Sequence, residues 1–542
     1  MVFVGLASYE SESEADREWL GRASGWFLSV GLIWLALLFL VLYFGVVVAI
    51  FVTIGNGQSI ESLSPMIAGI SGIIAGISGI ITALFGASRL LAVKGGSIGV
   101  RSYLMRLVLP PTALVFVAAL LIAVSYTLDG LFFGSSMVDP STPGFPWGGR
   151  FSVLLVAFVV TVAVAIVASK YININRFSLH AFYRNRLVRA FLGASRVRTP
   201  DLFTGFDAAD NRRISQLWPA REEGNWRPFQ IINVALNVVS SERLSWQERK
   251  AEPFIVSPLY CGGDYAGYRD SAIYGDPKGI TLGTAMAISG AAASPNMGYH
   301  SSPAITFLMT MFNVRLGWWL GNPGSAGEQT FRNEGPTFAI WPLVEEALGL
   351  TTDDRAYVYL SDGGHFENLG LYEMIRRRCR YIVVSDAGCD RDFTFEDLSN
   401  AVRKIEIDLG VTISFKKLEK LKPRPRDGTD IEPGQPYHAI GDIDYRAADG
   451  ASENGTILYV KAGYHGVESA GIRGYAVANP DFPHQPTIDQ WFTESQFESY
   501  RALGFEITDG ILSRVLADPV CATNPGFENL FATLRRWAGL PR

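Results

Sequence analysis

The chain has 542 residues, of which 18% are charged, and a net charge of −5 at pH 7. That length accommodates two or three domains, the charge content falls below that of an ordinary soluble protein, and so mild an acidity makes no case for nucleic acid as a partner. The mean hydropathy of +0.18 hides two unlike parts: residues 26–168 are mostly apolar, and beyond Lys170 the charge is mixed as in a globular domain.

In chain order, a short segment, 1–24, precedes four apolar stretches at 25–54, 65–93, 104–127 and 151–169. A helix crosses the hydrocarbon core with about 20 apolar residues, so each stretch qualifies as a membrane span. The first is too long, and its flanks too acidic, for a cleaved signal peptide. The second contains GISGIIAGISGII (69–81), whose small residues let neighbouring helices approach closely. Pro110 and Pro111 near the start of the third suit a first helical turn. The loop 55–64 has no Lys or Arg, and 129–149 has none before Arg150. Arg89, Lys94, Arg101 and Arg106 surround the middle connector, and a run from Lys170 to Arg198 follows the last span. The positive-inside rule then puts both termini and the soluble domain on the cytoplasmic side of an inner membrane.

Residues 170–199 form a basic, amphipathic juxtamembrane segment in which Phe177, Phe182, Leu187 and Phe191 alternate with arginines. It can lie on an anionic leaflet, or its arginines can pair within the soluble domain. From 200 to 542 the pattern is that of one layered α/β domain. Candidate strands are 230–236, 254–258, 356–360, 381–385 and 456–461; candidate helices are 282–292, 304–320, 343–348, 370–378 and 395–408. The continuous apolar run YIVV predicts a strand covered on both faces. Cys261, Cys379, Cys389 and Cys521 are scattered without CxxC spacing, which predicts reduced, buried thiols rather than disulfides or a zinc site.

One segment, YVYLSDGGHFENLGLYEMIRRRCRYIVVSDAG (357–388), reads as strand, tight turn, helix, strand. Asp362 stands where the first strand ends, and Gly363 and Gly364 let the backbone turn sharply and approach a ligand. The carboxylate can act as general base toward a hydroxyl, or it can cap the turn that follows. His365 can assist a proton transfer or serve as a structural or substrate-edge residue. Asp386 in SDAG reads as an Asx turn or, less favoured, as a residue lining the site, Gly262-Gly263 as a plain turn, and the prolines Pro423, Pro425 and Pro433 as marks of a surface loop.

The DGG segment resembles the aspartate motif of patatin-like phospholipases, lipid acyl hydrolases with a Ser–Asp dyad. GTAMAISGAAASPNMG (283–298) resembles that family's Ala/Ser-rich helix and Ser-Pro turn, and it precedes DGG in the same order. The stretches 175–196, 313–324 and 492–505 resemble a bacterial membrane-associated branch. The resemblance implies a four-span membrane region joined to a partial patatin-like α/β domain, with Asp362 as the dyad aspartate, membrane lipids as partners and no cofactor. It also implies an oxyanion loop (GGGxRG) and a nucleophile elbow (GxSxG) amino-terminal to the matching parts. Ser97 in GGSIG fits the letters but joins two spans with no strand before it, Ser71 and Ser78 lie inside a span, and Ser289 and Ser294 read as packing residues. The expectation is therefore the aspartate-bearing part of a lipid acyl hydrolase, inactive alone, whose nucleophile half lies on a separate upstream polypeptide or in coding sequence before Met1. The alternatives are a non-catalytic membrane anchor or scaffold of the same fold and, less favoured, a transporter, since no span has an ionisable residue at its centre.

Overall fold

The structure, a computed structural model, describes residues 14–55, 122, 124–125, 127–128, 147–194, 196–218, 228–241, 244–298, 303–416, 418–421, 436–486 and 492–540. The chain divides into two compact units, Met1–Phe366 and Glu367–Arg542. The boundary falls inside the 357–388 segment, so the stretch read from sequence as one domain contributes to both units.

The first unit opens with α1, Glu14–Gly55, a single helix of 42 residues that carries the first apolar stretch. Helix α2, Trp147–Tyr171, carries the fourth. Among the residues described with their side chains, one helix, Phe151–Tyr171, is long and apolar enough to cross a membrane; α1 is so described only as far as Leu38. Its 21 residues span roughly 31 Å at 1.5 Å per residue, against a hydrocarbon core of about 30 Å. Of the four expected spans, the structure thus supports one on these criteria. Stretch 65–93 and nearly all of 104–127 lie outside the described residues, as does Ser97.

The basic segment forms α3, Leu179–Leu187, capped by Ser178 and continued by a π turn, Val188–Leu192. Its arginines other than Arg186 form ion pairs, two of them with α1 rather than with the soluble domain, and Arg186 lies over the Phe182 ring. Arg189 meets Glu18 of α1 at 2.6 Å and Arg184 meets Glu14 at 3.4 Å. Arg196 and Arg198 both reach the buried carboxylate of Asp210, at 2.6 and 2.7 Å. Phe177, Leu179, Phe182 and Phe191 remain exposed.

Six strands follow in the spatial order β4-β3-β2-β1-β6-β5. They are β1 (Ile232–Asn237), β2 (Ala251–Val256), β3 (Tyr260–Gly263), β4 (Gly267–Asp270), β5 (Trp318–Gly321) and β6 (Tyr357–Asp362). Every pairing is antiparallel. Gly262 and Gly263, read as a turn, are strand residues of β3; the backbone of the β3–β4 hairpin comes so close that a Cβ on Gly262 would lie 2.0 Å from the Gly267 carbonyl. Helix α4 (Leu282–Ser289) starts at the Thr281 cap and packs on β1 and β6, over a core that includes Val234, Leu236, Phe254, Ile288 and Leu360. The candidate helix 304–320 is shorter than predicted. Helix α5 (Pro303–Met311) ends before Asn313, which is left-handed at φ 53°, and WWLG becomes β5. Aromatic residues on a half-buried pleated surface favour strand over helix once a neighbour is available.

β5 is an edge of this sheet, and unpaired edges invite aggregation. Asn175, just beyond α2, covers it. The Asn175 side chain accepts from Trp319 N–H at 2.8 Å and donates to Trp319 C=O at 2.7 Å. Helix α6 (Ile340–Ala347) turns Glu346 inward, where it meets Arg315 at 2.6 Å with both side chains 0% exposed. Trp319 Nε1 donates to the second carboxylate oxygen of Glu346 at 2.6 Å. Burial pushes the Glu346 carboxyl up from its ordinary value, and the Arg315 guanidinium opposes that shift.

The second unit holds α7 (Leu371–Arg376), α8 (Glu396–Leu409), α9 (Ala470–Ala478), α10 (Glu494–Leu516) and α11 (Phe527–Ala538) around a second sheet. Its strands are β7 (Tyr381–Asp386), β8 (Thr412–Lys416), β9 (His438–Asp444) and β10 (Gly455–Lys461), in the order β7-β10-β9-β8. Only β7 and β10 run parallel. The apolar run YIVV is not covered on both faces as predicted: β7 is an edge strand with alternating burial, and Val383 is 59% exposed. Leu458 of β10, Leu503, Ile507 and Phe531 form part of this unit's core. Pro423, Pro425 and Pro433 lie outside the described residues.

Removing one member of a fully buried ion pair leaves the other charged and unsolvated, a loss of about 3–5 kcal/mol. Glu346→Ala is therefore expected to lower the unfolding midpoint of the full chain sharply, and the double change Arg315→Met with Glu346→Leu to recover most of it, as read by intrinsic fluorescence during denaturation.

Candidate functional site

β1 and β6 lie side by side with Val234 opposite Asp362. At that point β6 ends and the chain enters a short 3-10 turn, Gly363–His365. Asp362 caps this turn, accepting from Gly364 N–H at 2.7 Å. The capping reading of Asp362 is thus realised by one carboxylate oxygen, and among the described residues the side chain is in no ion pair. Burial raises the Asp362 carboxyl above the ordinary aspartate value, and the Gly364 N–H opposes the rise. A half-buried carboxyl with a raised pKa can take a proton near neutral pH more readily than a solvated one.

Gly363 is needed for close approach. A Cβ there would sit 2.7 Å from the carbonyl oxygen of Asn233. The same carbonyl accepts from Ser289 Oγ at 2.8 Å, so the last residue of α4 and the DGG turn converge on one peptide of β1. Tyr183 of α3 completes the group. Its hydroxyl lies where a Cβ on Gly290 would be, 2.6 Å away. Burial, and then the negative charge of Asp362, raise the Tyr183 phenol above its ordinary value. Asp362, Ser289, Tyr183 and Asn233 are all partly exposed. Three oxygen groups of different acidity therefore share one accessible corner of the first unit.

His365 faces the other way along β6. Gly298 N–H donates to Asn237 Oδ1 at 3.1 Å, which fixes the amide so that Asn237 Nδ2 donates to Ser361 Oγ at 2.7 Å. The Ser361 hydroxyl also shares a hydrogen bond with His365 Nδ1, at 2.7 Å, whose direction follows the imidazole tautomer. This is a relay of structural hydrogen bonds ending on a half-buried imidazole, in line with the structural reading of His365; Ser361 is fully buried and has no access to a substrate.

The sequence reading placed Asp362, Gly363, Gly364 and His365 together, and they form one turn. It gave Ser289 a packing role, whereas the structure puts its hydroxyl beside the DGG turn; Ser294 is buried and donates to Ala291 C=O at 3.0 Å. Asn233 and Asn237 carried no motif, and Tyr183 lay in the basic segment without a role of its own. The rule that ligands bind at the carboxyl ends of parallel strands does not apply to Asp362, because its sheet is antiparallel and its position rests on the local turn. In the second unit Asp386 makes the expected Asx turn, accepting from Gly388 N–H at 2.9 Å, and its other oxygen meets buried Lys461 at 3.0 Å.

All four cysteines are free. Cys261 and Cys521 are buried, Cys379 is half-buried and Cys389 is exposed, so the expectation of burial holds for two. Burial pushes the Cys261 thiol up to about 12, which makes it unreactive. Among the described residues no three His, Cys, Asp or Glu side chains are gathered as a metal site. A cavity of about 520 Å3 opens near Tyr357, at the start of β6 and so at the far end of that strand from Asp362.

These features define a mixed helix-and-sheet protein with an apolar helix fit to cross a membrane and a carboxyl–hydroxyl corner at the end of a central strand. No protein-family model, no curated protein and no solved structure matches the chain.

Two consequences can be measured. Gly363→Ala drives a methyl group against the Asn233 carbonyl and is expected to destabilise the fold by about 1–3 kcal/mol in chemical denaturation. Asp362, its folded pKa raised above the unfolded value, contributes stability below the unfolded pKa that is lost as pH rises through the folded pKa. Asp362→Asn keeps a cap but cannot ionise, so its midpoint should gain on the wild type as pH rises above the ordinary aspartate pKa of about 3.9 and through the raised folded value; a constant gap would contradict the raised pKa.

Proposed function

We propose that this chain is the aspartate-bearing part of a membrane-bound lipid acyl hydrolase of the patatin-like kind, with Asp362 as general base. The observation that carries the reading is the Asp362 carboxyl itself. It is half-buried, raised in pKa, held on one oxygen by Gly364 N–H, and set in a corner with the hydroxyls of Ser289 and Tyr183. The motif order in the sequence, the Ala/Ser-rich helix before DGG, supports the same assignment. In this reading Asp362 takes the proton of a nucleophilic serine as that oxygen attacks an ester carbonyl, and returns it to the departing lysolipid or alcohol. Water then attacks the acyl-enzyme, its proton passing through Asp362 back to the serine as the fatty acid leaves.

The four apolar stretches would hold this corner at the cytoplasmic face of the inner membrane, where membrane lipids, the substrate class, are concentrated. Helix α2 and the charge pattern of the connectors support that placement. Among the described residues no serine stands on a strand–turn–helix elbow, so in this reading the nucleophile is supplied from outside them, an upstream polypeptide being the first candidate to test. The alternative, a non-catalytic anchor or scaffold of the same fold, is favoured by the distance between Asp362 and the cavity near Tyr357.

The test is phospholipid hydrolysis in vesicles by the full chain, alone and together with any polypeptide encoded upstream, with a fluorophosphonate probe in parallel. Activity is expected only in the combination, and Asp362→Asn should abolish it, a loss on the order of 10⁴-fold or more by comparison with other hydrolase dyad and triad members. Probe labelling of Ser289 in the chain alone would move the nucleophile into this polypeptide. Unchanged activity in Asp362→Asn would leave only the scaffold.

A further inference from the structure

Helix α6 is apolar on both faces. Its inward face carries Pro342 and Leu343 beside Glu346, which is fully buried against Arg315 and Trp319. Its outward face carries Trp341, 66% exposed, Val344, and Leu348, 65% exposed, just past the helix end. An amphipathic helix at an aqueous surface keeps its outward face polar, because apolar area left in water is a free-energy loss of about 25 cal/mol per Å2. The patch continues. Phe338 precedes α6, and the neighbouring helix α5 packs on it and exposes Phe307 and Met311. Contiguous exposed apolar surface of this kind marks a binding face.

The position of α6 identifies what covers that face. Ala339 N–H donates to Ser169 C=O at 3.0 Å, and Ser169 lies in the last turn of the apolar helix Phe151–Tyr171. Trp341 is two residues from Ala339, so its backbone lies within about 8 Å of Ala339, at 3.8 Å per Cα step. Tyr171, half-exposed, ends α2 at the same level. Trp and Tyr at the end of a span belong at the headgroup level of a bilayer. Between α6 and β5–β6 lies the cavity of about 520 Å3, lined by Trp319, Pro336, Phe338, Trp341 and Tyr357, with the Glu345–Arg355 ion pair at 2.5 Å on its polar side. Its size and apolar lining suit a small-molecule tail with a polar end.

We infer that α6 and the Phe338–Trp341 turn lie in the headgroup region of the leaflet where α2 ends, and that the adjoining cavity takes an acyl chain of a phospholipid from that leaflet. The inference rests on the reading of α2 as a membrane span and is independent of any hydrolysis at Asp362. It assigns the lipid contact to α6, α5 and this cavity, whereas Arg176, Arg184, Arg189 and Arg196 of the basic segment are engaged in ion pairs within the protein.

The full chain, with Cys379→Ser and Cys389→Ser to leave only buried thiols, is reconstituted in phosphatidylcholine–phosphatidylglycerol vesicles and labelled with NBD at Trp341→Cys, Leu348→Cys or Val160→Cys. Headgroup-level nitroxide lipid should quench labels 341 and 348, and mid-chain nitroxide lipid should quench label 160. Quenching at 160 without quenching at 341 or 348 overturns the inference and leaves the span intact. No quenching at 160 removes the span and the inference together. In the wild-type full chain, a phospholipid with a photoactivatable acyl chain should crosslink to residues 336–341; crosslinks confined to α2 would remove the cavity from the proposal.

Discussion

The ion pair between Arg315 and Glu346, closed by the Trp319 indole, is the constraint on which the first unit depends. Two opposite charges with no solvent exposure must keep one another, and holding them together sets three elements at once. Arg315 leads into β5, Trp319 lies on it, and Glu346 is on α6. With Glu346 fixed inward, the 3.6-residue period sends Trp341, Val344 and Leu348 outward. The edge of β5 is then closed by Asn175 and the start of α6 is tied to Ser169, so the apolar helix α2, the sheet edge and α6 meet at one place.

The opposite end of β6 is governed by a weaker and more local device. A carboxylate that caps its own turn, two small residues that let the turn press against β1, and the end of α4 bring the Asp362 carboxyl and the Ser289 hydroxyl to the same peptide. The cavity and the acidic corner therefore occupy the two ends of a single strand. In the proposed hydrolase the first would hold a lipid tail near the bilayer and the second would act on an ester. The strand fixes the separation, about 17 Å for five residues at 3.3 Å each.

Much of the element map was legible from pattern. Five predicted strands and five predicted helices all appear, most displaced by one to three residues, because alternation and apolar spacing are local properties. The failures have specific causes. WWLG continues a helical pattern but follows a left-handed Asn313, and it gains a partner strand in β6 that no local rule could see. YIVV was read as buried on both sides because every residue is apolar, yet β7 stands at a sheet edge. The 357–388 segment reads as one continuous strand–turn–helix–strand unit, but β6 and β7 pair with different strands in different sheets.

At the candidate site, the DGGH turn was visible because Asp and Gly punctuate the chain there for backbone reasons. Asn233 lies in a strand without a motif, and Tyr183 lies in the basic segment 170–199, which was read for its arginines; only the packing of α3 and β1 brings them to Asp362. By itself, the sequence determined the apolar stretches, the position of the turn, and a helix at 343–348; its start at Ile340, and with it the stripe Trp341–Val344–Leu348, came with the structure. Which way that stripe faces was decided by tertiary structure. Periodicity marks the two sides of a helix but not which side meets water, and here a buried charge pair, formed with a residue 31 positions away, sets the answer.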